Sequence, residues 1–469
     1  MQKIVFIISI LTVKTVAFFI SFFKLGQASN LPGKIALKIK KDILKQFKFN
    51  EDLKIIVITG TNGKSTSSGM LTSIFRATGK TVITNSAGAN LLTGIITTLC
   101  RNSTVSGKVN ADFLVLEVDE ATLKYITEAL KVDLILVTNL FRDQLDRFGE
   151  LDTTVKLIEE GLKNSKNAQI VLNADDPRVA FLKTEISQKK IYFGLSSNLN
   201  DENNESLSEW SKDPEELAKC PKCNSELVLG RRYLAHLGDY KCSHCDIRKP
   251  DLNFLISDIK TDHLSTYFNL IEVSNSLQKS NFFLPMVGIF NLYNAASAIA
   301  VAKTISSPTQ MQIQKAFQAY STIFGRGEKI AVKTPHQGIS TAWVYLIKNP
   351  IGTTEVLKTL SKAPNARFLI AINDNFADGR DVSWLWDARF ELLSNSKKEI
   401  FVSGKRAFDM ALRLKYANVK QDLIKVNENI KTALYNALST LEDGETLYVL
   451  PTYTVLLEMQ RRKLCKSVK

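Results

Sequence analysis

The chain has 469 residues, 45% of them apolar and 23% charged, which matches soluble globular proteins and excludes wholesale disorder, collagen-like repeats and polytopic membrane architecture. At roughly 100–200 residues per domain the length implies two to four domains. The net charge of +14 sits at the ends: residues 1–50 hold nine lysines against the single Asp42, and Arg461, Arg462, Lys463, Lys466 and Lys469 close the chain. A near-neutral body argues against nucleic-acid binding, which would place charge in stripes across the domains. Basic ends suit an anionic membrane surface or plain solvated tails.

Residues 4–23 are apolar enough to just cross a bilayer. Fourteen Ile, Val, Leu and Phe contribute roughly −6 kcal/mol to insertion against about +3 for the central Lys14. The polar positions do not gather on one helical face, so a simple interfacial helix fits poorly. A membrane anchor or peripheral contact, a packed core helix and a cleaved signal peptide stay open. A Lys-spaced helix is expected from Lys34 to Phe47.

The apolar run Ile55 to Ile58 reads as a buried strand, and strands at Phe113 to Leu116, Leu134 to Val137 and Ala168 to Leu172 alternate with helices at Ala121 to Ala129 and Thr153 to Leu162. This alternation predicts an α/β fold with a mostly parallel sheet. Residues 197–218 are polar and acidic, the lead-in to an insertion. Gly288 to Ala302 reads as a helix. A third segment alternates again, with strands at Phe368 to Ile372, Glu399 to Val402 and Thr446 to Leu450. The expected domains are an apolar and basic N-terminal segment, 1–47, a nucleotide-binding central domain, 48–310, with an insertion at 205–252, and a C-terminal α/β domain, 311–469.

Thr59-Gly60-Thr61-Asn62-Gly63-Lys64-Ser65-Thr66 lies between a strand and a helix. Its glycines let backbone N–H groups turn around phosphate oxygens, Lys64 supplies a point charge, and the Ser65 hydroxyl can ligate Mg²⁺. The position six before Lys64 is Ile58 rather than the usual Gly. In this context the motif predicts ATP binding. Glu117 follows the next strand, where a parallel sheet delivers residues to its ligand crevice, and is the candidate carboxylate for Mg²⁺; Asp119 and Glu120 are expected to be exposed or helix-capping. Thr138 to Asp146 follows a further strand, with metal surroundings and helix capping as alternatives.

Cys220-Pro-Lys-Cys223 and Cys242-Ser-His-Cys245 have the spacing of a Cys₄ zinc ribbon, a closed structural site. His244 reads as a solvated or backbone-bonded side chain, and Cys100 and Cys465 as ordinary thiols. Unpaired thiolates of this kind indicate a reducing, cytoplasmic setting.

The motif at 60–65, Asn85 to Asn90, Thr138-Asn139-Leu140, Asn173-Ala174-Asp175-Asp176, Gly288 to Asn291 with Asn294-Ala295, and Phe324 to Glu328 resemble the Mur ligases, ATP-dependent amide-forming enzymes of peptidoglycan assembly. The ribbon, Arg142 to Asp146 and Asp378 to Trp384 are similar to the MurT branch of that family. The resemblance spans roughly residues 50–469. It implies a Mur-ligase-like P-loop domain carrying the Cys₄ insertion and a Rossmann-like C-terminal domain. The phosphate loop begins near residue 58, too early for the usual nucleotide-sugar-binding domain, so no ordinary grip on a UDP substrate is expected.

The activity implied is ATP-dependent conversion of the lipid II D-glutamate α-carboxyl to an amide through an acyl phosphate. Lys64, Mg²⁺ and Arg326 would neutralise phosphate charge, and Asn291 would contact the adenine side. No Cys–His glutaminase constellation is evident, so ammonia would come from a partner, which the resemblance identifies as a class I glutamine amidotransferase-like subunit (GatD) in a heterodimer. The loop from Asn373 to Asp387 carries two tryptophans beside several acids. It reads either as a buried Trp pair with capping acids or as an interface. The resemblance favours docking of the glutaminase, with Asp378 or Asp381, and Asp374 as a weaker third, orienting the partner's catalytic His. The rivals are a stand-alone amino-acid ligase and a zinc-ribbon nucleic-acid adaptor with an ATPase body.

Overall fold

The computed structural model describes the chain apart from residues 1, 23–29, 86–88, 142–150, 186, 197–218, 262–264, 274–277, 321–325, 335–337, 362, 364, 468 and 469. The chain divides into two compact units, Met1–Arg142 with Glu150–Tyr320, and Asp143–Gly149 with Ser321–Lys469.

The first unit is built on a nine-stranded sheet. From one edge the strands run Val82–Thr84, Phe113–Glu117, Lys54–Thr59, Leu134–Val137, Gln169–Asn173, Lys190–Leu195 and Phe254–Thr261, all parallel, then Thr266–Glu272 and Gln278–Leu284 antiparallel. Ile55, Ile56, Val57 and Ile58 are all buried, because a parallel strand covered on both faces needs continuous apolar text rather than alternation. Helices Lys64–Ala77 and Ile289–Ile305 pack together.

Helix Gln2–Phe22 lies against helices Leu31–Ile39 and Leu92–Asn102. Phe6, Ile10, Val13 and Ala17, spaced by four, three and four, are buried, and the first three join the apolar core on that side of the sheet. Lys14 Nζ donates to the Ser103 carbonyl at 2.6 Å, which satisfies the charge that interrupts the apolar run. Ile4, Ile8, Leu11, Phe18, Phe19 and Phe22 are exposed. The helix is therefore apolar on both its packed and its open sides.

The single helix expected from Lys34 to Phe47 is two elements. Pro32, favourable in a first turn, starts the helix earlier, at Leu31; it ends at Ile39, Lys40 is extended, and a 3-10 turn covers Ile43–Gln46. The break turns Ile43, Leu44 and Phe47 into the core, with the Phe47 ring 5.4 Å from Phe6. The described part of the insertion is a hairpin, Leu227–Leu234 with Leu237–Cys242; its acidic lead-in at 197–218 lies outside the described residues.

The second unit has a seven-stranded sheet in the order Ile424–Val426, Ile400–Ser403, Ala366–Ala371, Thr446–Pro451, Gly338–Tyr345, Arg326–Thr334 and Cys465–Ser467. The first five are parallel, Arg326–Thr334 runs against them, and Cys465–Ser467 pairs antiparallel with Arg326–Thr334.

Candidate active site

Strand Lys54–Thr59 runs into the glycine turn, and helix Lys64–Ala77 starts directly after it. Gly60 (φ 117°) and Gly63 (φ 86°) adopt left-handed conformations. A Cβ at Gly63 would meet Asn294 Oδ1 at 2.1 Å, and one at Gly60 would meet Thr138 Oγ1 at 2.4 Å, so both glycines serve close approach as well as backbone freedom. The loop is clamped by the next strand end. Thr61 N donates to the Asn139 carbonyl at 2.8 Å, Asn62 N to Asn139 Oδ1 at 3.0 Å, and Thr138 Oγ1 to the Asn62 carbonyl at 2.8 Å. Ser65 and Thr66 are buried in the first helical turn. The hydroxyl of buried Thr59 has no partner among the described residues.

Lys64 Nζ donates to the Gly60 carbonyl and to Glu120 Oε1 at 2.8 Å. Burial opposes its charge, but Glu120, with Glu117 and Asp119 adding, outweighs burial and raises its pKa. Glu120 is thus neither exposed nor a cap; it is 5% exposed and is the ion-pair partner of Lys64. Three residues past the strand end, Glu120 turns inward, whereas Asp119 closes the turn before helix Leu123–Ala129, accepting the Ala121 N–H at 3.1 Å, and does not cap that helix. Glu117 is buried at the strand end, its backbone clasped by both amide atoms of Asn85 and its carboxylate 3.5 Å from Asn90 Nδ2. Lys64 with Glu117, Asp119 and Glu120 leaves a surplus of negative charge, the setting that a divalent cation neutralises.

Asn291 donates to the Val287 carbonyl at 2.8 Å. Asn294, one turn on, is the residue that reaches the loop, its Oδ1 accepting from Ser67 Oγ at 3.3 Å. Sequence reasoning quoted Asn294 only within the resembling motif, without a role, and did not anticipate the pairing of Glu120 with Lys64. The side chain of Arg326, and Arg142 to Asp146, lie outside the described residues.

The four cysteines Cys220, Cys223, Cys242 and Cys245 converge with all Sγ atoms within 4.8 Å of one another. Two pairs, Cys220 with Cys245 and Cys223 with Cys242, stand at 3.5 Å, close to the ~3.8 Å between ligands of a tetrahedral Zn–S₄ centre. Hydrogen bonds from Ser225 hold the Cys223 thiol down to about 6, favouring the thiolate. The group fits a soft tetrahedral metal. Elsewhere, burial pushes the Cys100 thiol up to about 12 and that of Cys465 up to about 11.

In the second unit the loop after strand Ala366–Ala371 is braced by Asp378. Its Oδ1 accepts Thr454 N at 2.7 Å and its Oδ2 accepts the Thr454 hydroxyl and Asn375 N. Burial raises its pKa against those bonds. Asp381 is exposed, and Ser383 N, 2.8 Å away, lowers its pKa. Asp374 pairs with Arg406 at 2.7 Å. The two tryptophans are not a buried pair: Trp384 packs against the core, and Trp386 is 51% exposed, edge-on to Tyr416. Phe376, and Phe408, Leu412 and Tyr416 at intervals of four on helix Ala407–Tyr416, are exposed as well.

A phosphate loop at the carboxyl edge of a largely parallel sheet, followed by a separate α/β unit, defines the class of Mur-type ligases. The family model for the Mur ligase middle domain matches residues 58–227, and that for the MurT ligase C-terminal region matches residues 346–456. The chain is 33% identical to the MurT subunit of lipid II isoglutaminyl synthase (glutamine-hydrolyzing) from Streptococcus pneumoniae, over 93% of this chain and 92% of that one. It is 31% identical to the corresponding subunit of Staphylococcus aureus, over 92% of each. Among solved structures, a pseudomurein peptide ligase type C from Methanothermus fervidus superposes with a TM-score of 0.65 at 22% identity, covering 90% of this chain and 80% of that one. MurF from Acinetobacter baumannii gives 0.61 at 15%, covering 92% and 80%. The chain belongs to the MurT family of ligases.

Proposed function

We propose that this chain is the ligase subunit of an enzyme that amidates lipid II during peptidoglycan synthesis, with GatD, a class I glutamine amidotransferase-like subunit, as its partner in a heterodimer. A carboxylate does not react with ammonia directly because oxide is too poor a leaving group. The D-glutamate α-carboxylate oxygen therefore attacks the γ-phosphorus of ATP, ADP departs, and an acyl phosphate forms. Ammonia then adds to the acyl carbon, the C–O bond to phosphate breaks, and the nitrogen loses a proton to leave the amide.

The residues Thr59 to Thr66 bind and orient the phosphates, and Lys64 neutralises their charge together with Arg326. Asn291 lies on the adenine side. Ser65 and Glu117 would hold Mg²⁺, which supplies electrostatic stabilisation of the transferring phosphoryl group. Cys220, Cys223, Cys242 and Cys245 would hold structural Zn²⁺, which would supply folding energy rather than chemistry.

Ammonia from a partner is supported by the cysteines: four, Cys223 with its lowered pKa among them, converge on one another as a metal-binding set, and the other two are buried thiols with raised pKa values. The docking surface is the loop 373–387 with the Phe408, Leu412 and Tyr416 stripe beside exposed Trp386, an aromatic cluster of the kind that anchors interfaces. Asp381, charged and exposed, is the better-placed of the two acids to orient the partner's His, while Asp378 braces the loop. The open apolar face of helix Gln2–Phe22, flanked by the basic N-terminal residues, contacts the cytoplasmic leaflet that carries the substrate.

The observation that carries this reading is MurT-family membership over nearly the whole chain, joined to an intact Lys64 phosphate loop. Co-expression with the GatD-type neighbour, followed by mass analysis of lipid II incubated with ATP and glutamine, tests it. Amidation requiring both subunits is expected. Ammonia-independent ligation of an amino acid by the chain alone would replace it with the stand-alone ligase.

A further inference from the structure

The hairpin of the cysteine-bearing insertion does not stand free of the first unit. Its turn, Ala235–His236, is driven into the protein beside Asn173-Ala174-Asp175-Asp176, and His236 has no solvent exposure. Gly238 N donates to the Asp175 carbonyl at 2.9 Å, and Tyr240 Oη to the Ala174 carbonyl at 3.0 Å. Lys249, just past the second cysteine pair, bridges Asp175 at 2.7 Å and Asp239 at 2.9 Å. The tip is thereby anchored through the chain that follows it.

His236 Nε2 lies 3.3 Å from Asp176 Oδ2, and both side chains are fully buried. The same Asp176 oxygen accepts the Leu140 N–H at 2.8 Å, and the His236 ring stands edge-on to Phe141, centroids 4.9 Å apart. Phe141 in turn shares two hydrogen bonds with Thr61: its N–H donates to Thr61 Oγ1 at 3.1 Å, and that hydroxyl lies 3.2 Å from its carbonyl oxygen. Thr61 is inside the phosphate loop. A continuous set of contacts therefore leads from the metal-binding hairpin to the loop that cradles phosphate.

We infer that His236 is a positioning residue for nucleotide binding: by pairing with buried Asp176 it holds the Leu140–Phe141 backbone against Thr61, so that the metal-bound hairpin sets the geometry of the phosphate loop. Asp176 Oδ1 accepts the Arg178 and Val179 N–H groups, so the imidazole is the side-chain partner of Oδ2, the oxygen that also takes the Leu140 N–H. Its loss leaves that buried oxygen short of a polar partner and loosens its hold on Leu140. The insertion then has a role at the reaction centre although its cysteines are closed to substrate.

The inference rests on residues 59–66 being the nucleotide site, and loss of ADP binding in Lys64→Ala checks that reading separately. For His236, the full chain with its partner subunit is titrated with Mg²⁺-ADP in the parent, His236→Ala and His236→Gln, with zinc content measured in each. In His236→Ala the ADP affinity falls about tenfold, the KM for ATP rises more than kcat falls, and zinc content stays at the parent value. His236→Gln, which keeps a donor toward Asp176, recovers most of the affinity. Parental affinity in the alanine variant, or equal loss in both variants, overturns the inference. Hydrogen exchange on the unaltered chain gives a reading that needs no variant: chelation of the metal raises exchange in peptides covering 59–64 and 138–141, and unchanged exchange there breaks the proposed link to the hairpin.

Discussion

Lys64 Nζ and Glu120 Oε1 stand 2.8 Å apart with side chains 12% and 6% exposed, which makes the phosphate-loop lysine one half of a largely buried ion pair. Glu120 keeps the ammonium charged, and its bond with the Gly60 carbonyl holds that ammonium at the loop. Lys64→Ala is expected to lower ATP-dependent amidation at least a hundredfold with zinc content unchanged. Glu120→Ala strands a buried cation and should cost about 3 kcal/mol of stability, read by urea denaturation. Turnover near that of the parent in the lysine variant would remove Lys64 from the reaction.

The converged cysteines should bind one zinc ion per chain. Cys220→Ser is expected to lower that stoichiometry and to depress Tm by about 3 °C, the shift given by a loss of ~2 kcal/mol in a unit of this size. Metal analysis with thermal unfolding of the same sample decides it; a zinc-free variant with parental melting contradicts a structural metal.

On helix Gln2–Phe22 the two apolar faces should respond differently. Phe18→Glu with Phe22→Glu on the exposed face should reduce sedimentation with anionic liposomes while leaving Tm unchanged, whereas Ile10→Asp on the packed face should destabilise the fold. Equal liposome binding by the double variant and the parent would leave the helix with its packing role alone.

Asp381→Asn is expected to abolish glutamine-dependent amidation while the subunits still copurify, and added ammonia should restore much of the rate. Asp378→Asn should instead act through the loop, because Thr454 and Asn375 already occupy both carboxylate oxygens. Failure of ammonia to rescue Asp381→Asn would move this acid into the ligase reaction.

Asp112 clasps Thr81 across neighbouring strand starts, accepting its N–H at 2.8 Å and its hydroxyl at 2.7 Å. The Thr81 hydroxyl and amide, then Lys80, hold the Asp112 carboxyl down to about 2. A depressed carboxylate stabilises the fold above its unfolded pKa, and that contribution fades as pH falls from about 4 to about 2. The stability difference between the parent and Asp112→Asn should therefore be present at pH 7 and shrink across that window in denaturation midpoints. A difference that stays constant from pH 5 to pH 2 would refute the linkage.

The phosphate loop, the strands flanking it and the four cysteines were legible because each is written in contiguous text. A run such as Ile55 to Ile58 buries itself wherever a parallel sheet covers both faces, and Cys-x-x-Cys spacing brings two ligands together within a few residues. Position after a strand likewise pointed to Glu117, since a parallel sheet presents its carboxyl ends to the ligand crevice.

Contacts between distant residues were not legible. Nothing local distinguishes Glu120 from Asp119, yet one faces Lys64 and the other bonds the Ala121 N–H within its own turn. Phe6 and Phe18 read alike along the first helix, and only packing against Leu31–Ile39 and Leu92–Asn102 decides which face is covered. His236 reads as an ordinary hairpin residue; its burial against Asp176, sixty positions earlier, exists only after the insertion has folded back onto the sheet. Sequence by itself determined the elements and the chemistry available, because these depend on neighbours along the chain. Tertiary structure alone decided the partners, because a buried charge or ring takes its meaning from whatever the fold places opposite it.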